Sequence, residues 1–564
     1  MKKHLKTAGN VIIVIVICVL VFCCIPGRDG IIANVIDTFT YKEIEFTEPT
    51  KEQMLSDFDY MLDVLKAGIP NISESEKLYG FDFDEKCAKY REMAEKCENG
   101  FDFYVLCNAV LADIPNCHTY MSYMQSSYIA SQMCFNAEHV RFRPNIGGIA
   151  DAWNKYLGEK TEPLYDRDNS ALFLYCDGHY MNIEYEKPEL REKFGQEILE
   201  INGRPVSEFV NENLFYSKLS YDFKNNIPYR DNITFNLTDG EELDALVLCD
   251  DGTTKNIKIF YSLERETAYN EASAYAALSD YDFEEAMQEV DEESYTLIYT
   301  EDTDTLYAEF TSFDYFDGEK LKSEMEKYAE CRHIIFDVRE NGGGITGFWE
   351  KNIYAPLFKD KLIIDNESYL ELNKYNCNPF GDLLESLYYS HEKLTARELP
   401  FETDSAYSWY KFNEYDEYDG EYDGETAVED RDIYILSGRN SASLTDEFIY
   451  YFSKNGLATI VGENTKGEGI APTFMCQAMP ETGLVFNYSP FIAFNSDGKD
   501  NSVYCSAPDI YVTLTCDDYV INRQLRMEGK NTLDYENRLL WDTELKYVLS
   551  LIEADVDDMP AVAA

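Results

Sequence analysis

The sequence predicts an α+β multidomain chain, and three observations carry that prediction. Apolar residues recur at helical spacing before residue 127. Short extended runs and turn residues dominate from 128 to 270. From about 295, strand and helix patterns alternate, which is the signature of an α/β layer. At 564 residues the chain is long enough for several cores.

Taken in order, the first 27 residues form an export or anchoring segment. Lys2, Lys3 and Lys6 precede the uncharged run Val11–Ile25. No small-x-small cleavage site follows, so the expectation is an uncleaved single anchor with the lysines inside and the rest of the chain outside the cell. The alternatives are a cleaved signal peptide, leaving a secreted chain, and a lipid anchor near Leu20–Cys23. Residues 28–48 read as a spacer. Between 49 and 127, Met54, Phe58, Met61, Leu62 and Leu65 share one helical face, as do Phe103, Leu106, Ala109 and Val110. Pro115 stops this block just before His118.

The β-rich region, 128–270, contains Gly195–Val206, with a strand, a turn at Asn202-Gly203 and a second extended piece. Leu306–Phe310, Ile334–Val338, Ile433–Leu436 and Leu457–Val461 read as strands of the α/β layer over 295–520, with a helix at Gly318–Tyr328. An acidic, tyrosine-rich insertion at 360–430 is expected to be a solvated excursion, because its carboxylates lack calcium-loop spacing. Residues 521–564 are expected to form a closing helix, Trp541–Ile552, and a tail.

Charge excludes one class of function. With 49 basic against 105 acidic residues, the net charge of −56 disfavours nucleic acid and anionic membrane surfaces. Fifteen cysteines include three in the apolar run; the other twelve show no CxxC pair and no zinc-ligand spacing. No metal or organic cofactor is implied.

Two segments carry chemistry. Ile433–Leu436 breaks at Gly438 and Asn440 into small residues and enters a helix bearing Phe448, Tyr451 and Phe452. A serine at such a junction is presented beside free helix amides, although capping the helix is the commoner use. His333–Gly344 runs from a buried strand into three glycines whose amides can approach a ligand closely. A phosphate loop is disfavoured, since neither GxGxxG nor a Gly-Lys-Ser/Thr ending is present.

Together, Asp337-Val-Arg339-Glu-Asn341-Gly-Gly-Gly344, Ser441-Ala-Ser443, Gly462-Glu-Asn-Thr465-Lys-Gly467-Glu-Gly469 and Ala507-Pro-Asp-Ile-Tyr-Val512 resemble the tail-specific, or carboxy-terminal processing, serine proteases and their tricorn relatives. The resemblance spans about residues 50–520. It implies a PDZ-like domain around Gly195–Val206 and a ClpP/crotonase-like α/β catalytic core. It also implies a serine-type endopeptidase acting on protein or peptide substrates through an acyl-enzyme, with Ser443 as nucleophile.

The processing proteases use a lysine where this chain has Glu468, and Lys466 lies two residues earlier. A carboxylate with an unperturbed pKa near 4.3 cannot replace that lysine as base. In the tricorn-like branch a histidine serves instead, after a leucine–aspartate pair, and Leu111-Ala-Asp-Ile-Pro-Asn-Cys-His118-Thr119 resembles that segment. The expected triad is Ser443, His118 and Glu468, with Asp500 as the second candidate for third member and Lys466 as the alternative base. Gly343 or Gly344 and Leu444 are the expected oxyanion donors. Gly195, Ile198 and Ile201 are the expected peptide-binding positions, through strand addition. A non-catalytic peptide-binding protein of the same fold is the alternative function.

Overall fold

Short apolar runs build a six-stranded sheet that carries the chemistry. Its order is Tyr295–Thr300, Thr305–Phe310, His333–Asp337, Asp432–Ser437, Thr459–Gly462, Ile510–Tyr511; the first pair is antiparallel and every other pair parallel. The period of two sends Leu306, Ile334, Phe336, Ile433, Ile435 and Ile460 to one face, under Phe448 and Phe452 of the helix Leu444–Lys454. Tyr307, Ile335, Leu436 and Val461 point to the other, under Leu545, Val548 and Ile552 of the helix Thr543–Asp558. Covering both faces explains why these strands read as continuous apolar runs. Each fully buried phenylalanine contributes about 1.5–3 kcal/mol.

The computed structural model describes residues 41–122, 145–165, 170–185, 197–236, 242–249, 251–279, 295–313, 318–376, 390–403, 407–424, 431–472 and 474–558. The anchor expected at 1–27 lies outside these. Among the described residues, no helix is long and apolar enough to cross a membrane.

Four helices, Lys51–Gly68, Ile72–Tyr79, Phe83–Ala94 and Gly100–Ala112, precede the His118 segment. The first is closed by a capping box at Thr50 and Gln53, and Asn99 caps the last. The β-rich region contributes a seven-stranded antiparallel sheet whose main path runs Asn232–Asn236, Ser170–Cys176, His179–Tyr185, Glu197–Ile201, Leu243–Leu248, Thr254–Ile259. Asn202 and Gly203 both take positive φ, as a tight hairpin turn requires. The extended piece after that turn is only Arg204–Pro205, because the chain enters the helix Val206–Glu212.

Two other expectations are corrected. The acidic insertion is not an excursion over its described length: Leu362–Glu371 and Trp409–Tyr418 form a ten-pair antiparallel ladder, flanked by Ser390–Leu394 and Phe491–Ala493. Trp409 and Tyr369 pack on one face and Phe412 on the other, while Tyr415, Asp416 and Glu417 stay exposed, a pattern that the abundance of tyrosine and acid hides. The closing helix is Thr543–Asp558, and Trp541 ends a separate helix, Tyr535–Trp541.

A buried ion network ties this C-terminal segment to the glycine loop. Arg339 bonds Asp337 (2.6 Å), Asp542 (2.6 Å) and Glu544 (2.6 Å), and Arg538 reaches Glu309 and Asp337. The arginine of the Asp337–Gly344 motif is therefore a brace between sheet, loop and terminal helix.

Candidate active site

Ser443 sits at the junction between the strand Asp432–Ser437 and the helix Leu444–Lys454, with φ 53° and ψ −127°. A serine rarely adopts this conformation, and such strain persists where the surroundings impose it. Its amide is pinned to the Gly467 carbonyl (3.1 Å). Its side chain makes no capping hydrogen bond, so the hydroxyl is not spent on the helix. Ser441 is different: its Oγ donates to the Val338 carbonyl (2.8 Å) and accepts from the Gly438 amide (3.1 Å).

The segment Gly462–Gly469 is locked against the same helix. Asp446, in its first turn, accepts from the Thr465 hydroxyl, the Gly469 amide (3.0 Å) and Asn501 Nδ2 (2.9 Å). A Cβ on Gly469 would lie 2.2 Å from the Glu447 nitrogen, which explains the glycine. Glu468 is held at φ 64°, another left-handed non-glycine residue. That conformation turns its carboxylate inward, where the side chain is fully buried.

Glu468 Oε2 meets His118 three ways. It lies 3.1 Å from His118 Nδ1, accepts the His118 amide (2.8 Å) and receives the Cys117 thiol (3.2 Å). Burial would raise the Glu468 pKa, but His118 beside it holds the carboxyl down to about 2. Burial likewise opposes charge on His118, yet Cys117 and Glu468 push its pKa well above the ordinary 6.5. Ser443 and His118 thus flank one dipeptide, Gly467-Glu468.

The His118 segment is clamped from two sides. Asp113, buried at the end of its helix, accepts from Tyr90, Lys86 (2.7 Å) and Arg230. Lys218 Nζ caps the Leu111 carbonyl (3.1 Å) and the Thr119 carbonyl. Arg230 and Lys218 belong to the β-rich region, so that region aims the imidazole. Sequence reading missed Asp446, Lys218 and Arg230; none of the three stands in a motif or spacing that marks it.

The other candidates fare differently. Lys466 uses its backbone on the Ser441 carbonyl (2.7 Å), and its side chain faces a cavity shared with Cys117, Lys218 and Cys505, with no hydrogen bond to Ser443. Asp500 caps the short helix Asn501–Tyr504 and accepts from Asn71 (3.1 Å) and Ser502 (2.9 Å), not from His118. Burial pushes its pKa up to about 7.

Of the glycines, Gly343 abuts the nucleophile, since a Cβ there would stand 2.9 Å from Ser443 Cβ and 3.1 Å from the Leu444 nitrogen. Its amide, however, donates to Asn341 Oδ1 (2.9 Å), which removes it as an oxyanion donor. The Gly344 and Leu444 amides have no acceptor among the described residues. Ile198 and Ile201 are corrected as peptide-binding positions. They are buried core residues on a strand already paired on both sides, with neither groove nor free edge. Gly195 lies outside the described residues.

A strand-to-helix turn presenting an uncapped serine, beside a histidine–carboxylate pair, defines a serine hydrolase class of site. The family model described as "Peptidase family S41" matches residues 304–512, the stretch that holds five of the six strands of the sheet, Ser443 and Glu468. Over residues 304–512 the chain is similar to peptidase family S41, and that match supports a serine peptidase. A comparison with curated proteins returns no match.

Among solved structures, mature CPAF is similar at 12% identity, covering 91% of this chain and 99% of that one, with a TM-score of 0.50. The photosystem II D1 C-terminal processing protease has 11% identity, 83% and 96% coverage and a TM-score of 0.32. The tricorn protease has 14% identity, 89% and 37% coverage and a TM-score of 0.31. At these identities only the likeness to CPAF bears on the fold, and none bears on the reaction.

Proposed function

We propose that the chain is a membrane-anchored, extracellular serine endopeptidase of the histidine-dependent, tricorn-like branch. Ser443 is the nucleophile, His118 the base and then the acid, and Glu468 the residue that orients and charges the imidazole. The observation that carries this reading is the contact of Glu468 Oε2 with both His118 Nδ1 and the His118 amide. It fixes the ring and leaves Nε2 for the serine proton. Ser443 Oγ attacks the peptide carbonyl as its proton passes to His118 Nε2. The resulting oxyanion is met by the Gly344 and Leu444 amides. His118 then protonates the leaving amine, and water repeats the cycle on the acyl-enzyme.

The location rests on the basic, apolar first 25 residues. The β-rich sheet supports a PDZ-like assignment by its position in the chain, while peptide capture falls elsewhere than on Ile198 and Ile201. A fluorophosphonate probe tests the mechanism, because it labels only an activated serine. Ser443→Ala removes labelling and Ser441→Ala retains it; labelling of the Ser443→Ala protein at the wild-type rate overturns the assignment.

A further inference from the structure

Cys117 takes no part in the mechanism above, yet its thiol lies inside the site. Cys117 Sγ, His118 Nδ1 and a Glu468 oxygen all fall within 4.8 Å of one another. The Nδ1–Oε2 separation is 3.1 Å and the Sγ–Oε2 separation 3.2 Å. A tetrahedral zinc shell, with metal–ligand distances of about 2.0–2.3 Å, has ligand–ligand edges of about 3.3–3.6 Å. On these two edges a zinc ion needs shifts of only a few tenths of an ångström, and the third, Sγ to Nδ1, is at most 4.8 Å. Among the described residues Glu468 Oε1 is buried without a hydrogen-bond partner; the Ser489 hydroxyl helps hold the carboxyl pKa down but does not reach bonding geometry. Cys117 opens onto a cavity of ≈ 40 Å³, which gives an ion a way in and leaves room for a water as fourth ligand.

We propose that Cys117, His118 and Glu468 form an inhibitory site for a soft divalent cation, zinc foremost, that switches the peptidase off by occupying His118 Nδ1. Thiolate, imidazole and carboxylate together suit zinc, and a thiolate ligand disfavours magnesium and calcium. Bonds form from zinc to Sγ, Nδ1 and Oε2. The Cys117 thiol gives its proton to solvent, and the imidazole proton leaves Nδ1 and ends, by exchange through solvent, on Nε2. A neutral imidazole bound through Nδ1 keeps its one proton on Nε2, so it cannot take the proton of Ser443. No electron moves, and a chelator reverses the step. The inhibition rests on the catalytic reading above; the metal site stands on the cluster alone.

The site is tested without turnover, in full-length Ser443→Ala protein titrated with cobalt(II). The expected result is one equivalent bound, with tetrahedral visible bands and a near-ultraviolet thiolate-to-cobalt band, all displaced by zinc. Adding Cys117→Ser removes the thiolate band and weakens zinc by roughly tenfold or more in chelator competition, whereas Cys505→Ser leaves the band in place. Absence of the band, its survival in Cys117→Ser or its loss in Cys505→Ser overturns the site. In the second arm, zinc inhibits peptide hydrolysis by the wild type, and Cys117→Ser raises the half-inhibitory concentration by a similar factor. Equal inhibition of both proteins overturns the switch. A wild type that hydrolyses nothing sinks the catalytic reading, while the cobalt spectrum still decides the metal site.

Discussion

Glu468→Gln isolates the charge of the orienting carboxylate while nearly preserving its shape. The His118 Nδ1–Oε2 distance of 3.1 Å corresponds, at an effective dielectric constant near 20, to about 5 kcal/mol between imidazolium and carboxylate. At 1.36 kcal/mol per decade that is about four decades in rate. The glutamine oxygen still accepts one hydrogen bond, so the expected fall in kcat is roughly 10³–10⁴-fold, the scale of carboxylate-to-amide exchange in a serine triad. The pH profile separates this from a structural defect. In the wild type, Cys117 and Glu468 raise the His118 pKa well above 6.5, so the neutral base appears only on the alkaline side of that value. An ordinary imidazole would place the rise at about pH 6–7.5. Losing the Glu468 charge lowers the base pKa and moves the ascending limb of kcat/KM to lower pH. Steady-state kinetics on one peptide across pH 5–10 reads both effects. A Glu468→Gln enzyme within threefold of wild type, with its limb unmoved, refutes the triad.

The same pair shapes stability. The Glu468 pKa is lowered from 4.5 to about 2, so its contribution is present above pH 4.5 and lost as pH falls through 2; the His118 pKa is raised, so its contribution is complete below 6.5 and lost as pH rises through the folded value. Urea midpoints of wild type and Glu468→Gln should therefore differ most between about pH 4.5 and 6.5, and a gap that stays constant from pH 3 to 9 contradicts the linkage. Arg339→Ala strands Asp337, Asp542 and Glu544 without their shared cation and should cost about 3–5 kcal/mol in urea unfolding; a loss under 1 kcal/mol removes its bracing role. Gly343→Ala drives a Cβ to 2.9 Å from Ser443 Cβ at φ 118°, so fluorophosphonate labelling should fall at least tenfold while far-UV circular dichroism is unchanged. Labelling at the wild-type rate would mean the loop yields freely.

Local pattern determined a good deal of this protein. Continuous apolar runs set the sheet whose strand Asp432–Ser437 leads to Ser443, and helical spacing marked Lys51–Gly68 and Gly100–Ala112. Motif order alone pointed to Ser443, His118 and Glu468, because the strand-to-helix turn and its glycines are local demands of the backbone. The insertion was misjudged because composition outweighed the placement of Trp409 and Phe412, whose burial depends on a partner strand about forty residues away. Ile198 and Ile201 were misplaced because pairing on both sides of a strand is invisible in one segment. Only the tertiary structure decided the competition among carboxylates: Glu468 and Asp500 are both buried acids near the end of the chain, and just one meets His118. That contact joins residues 350 apart, and the Cys117 thiol reaches the same oxygen from 351 residues away. A chain's local preferences say which groups can be charged or exposed. Which buried charge finds which partner follows from packing, because a buried carboxylate must be paired where the fold closes over it.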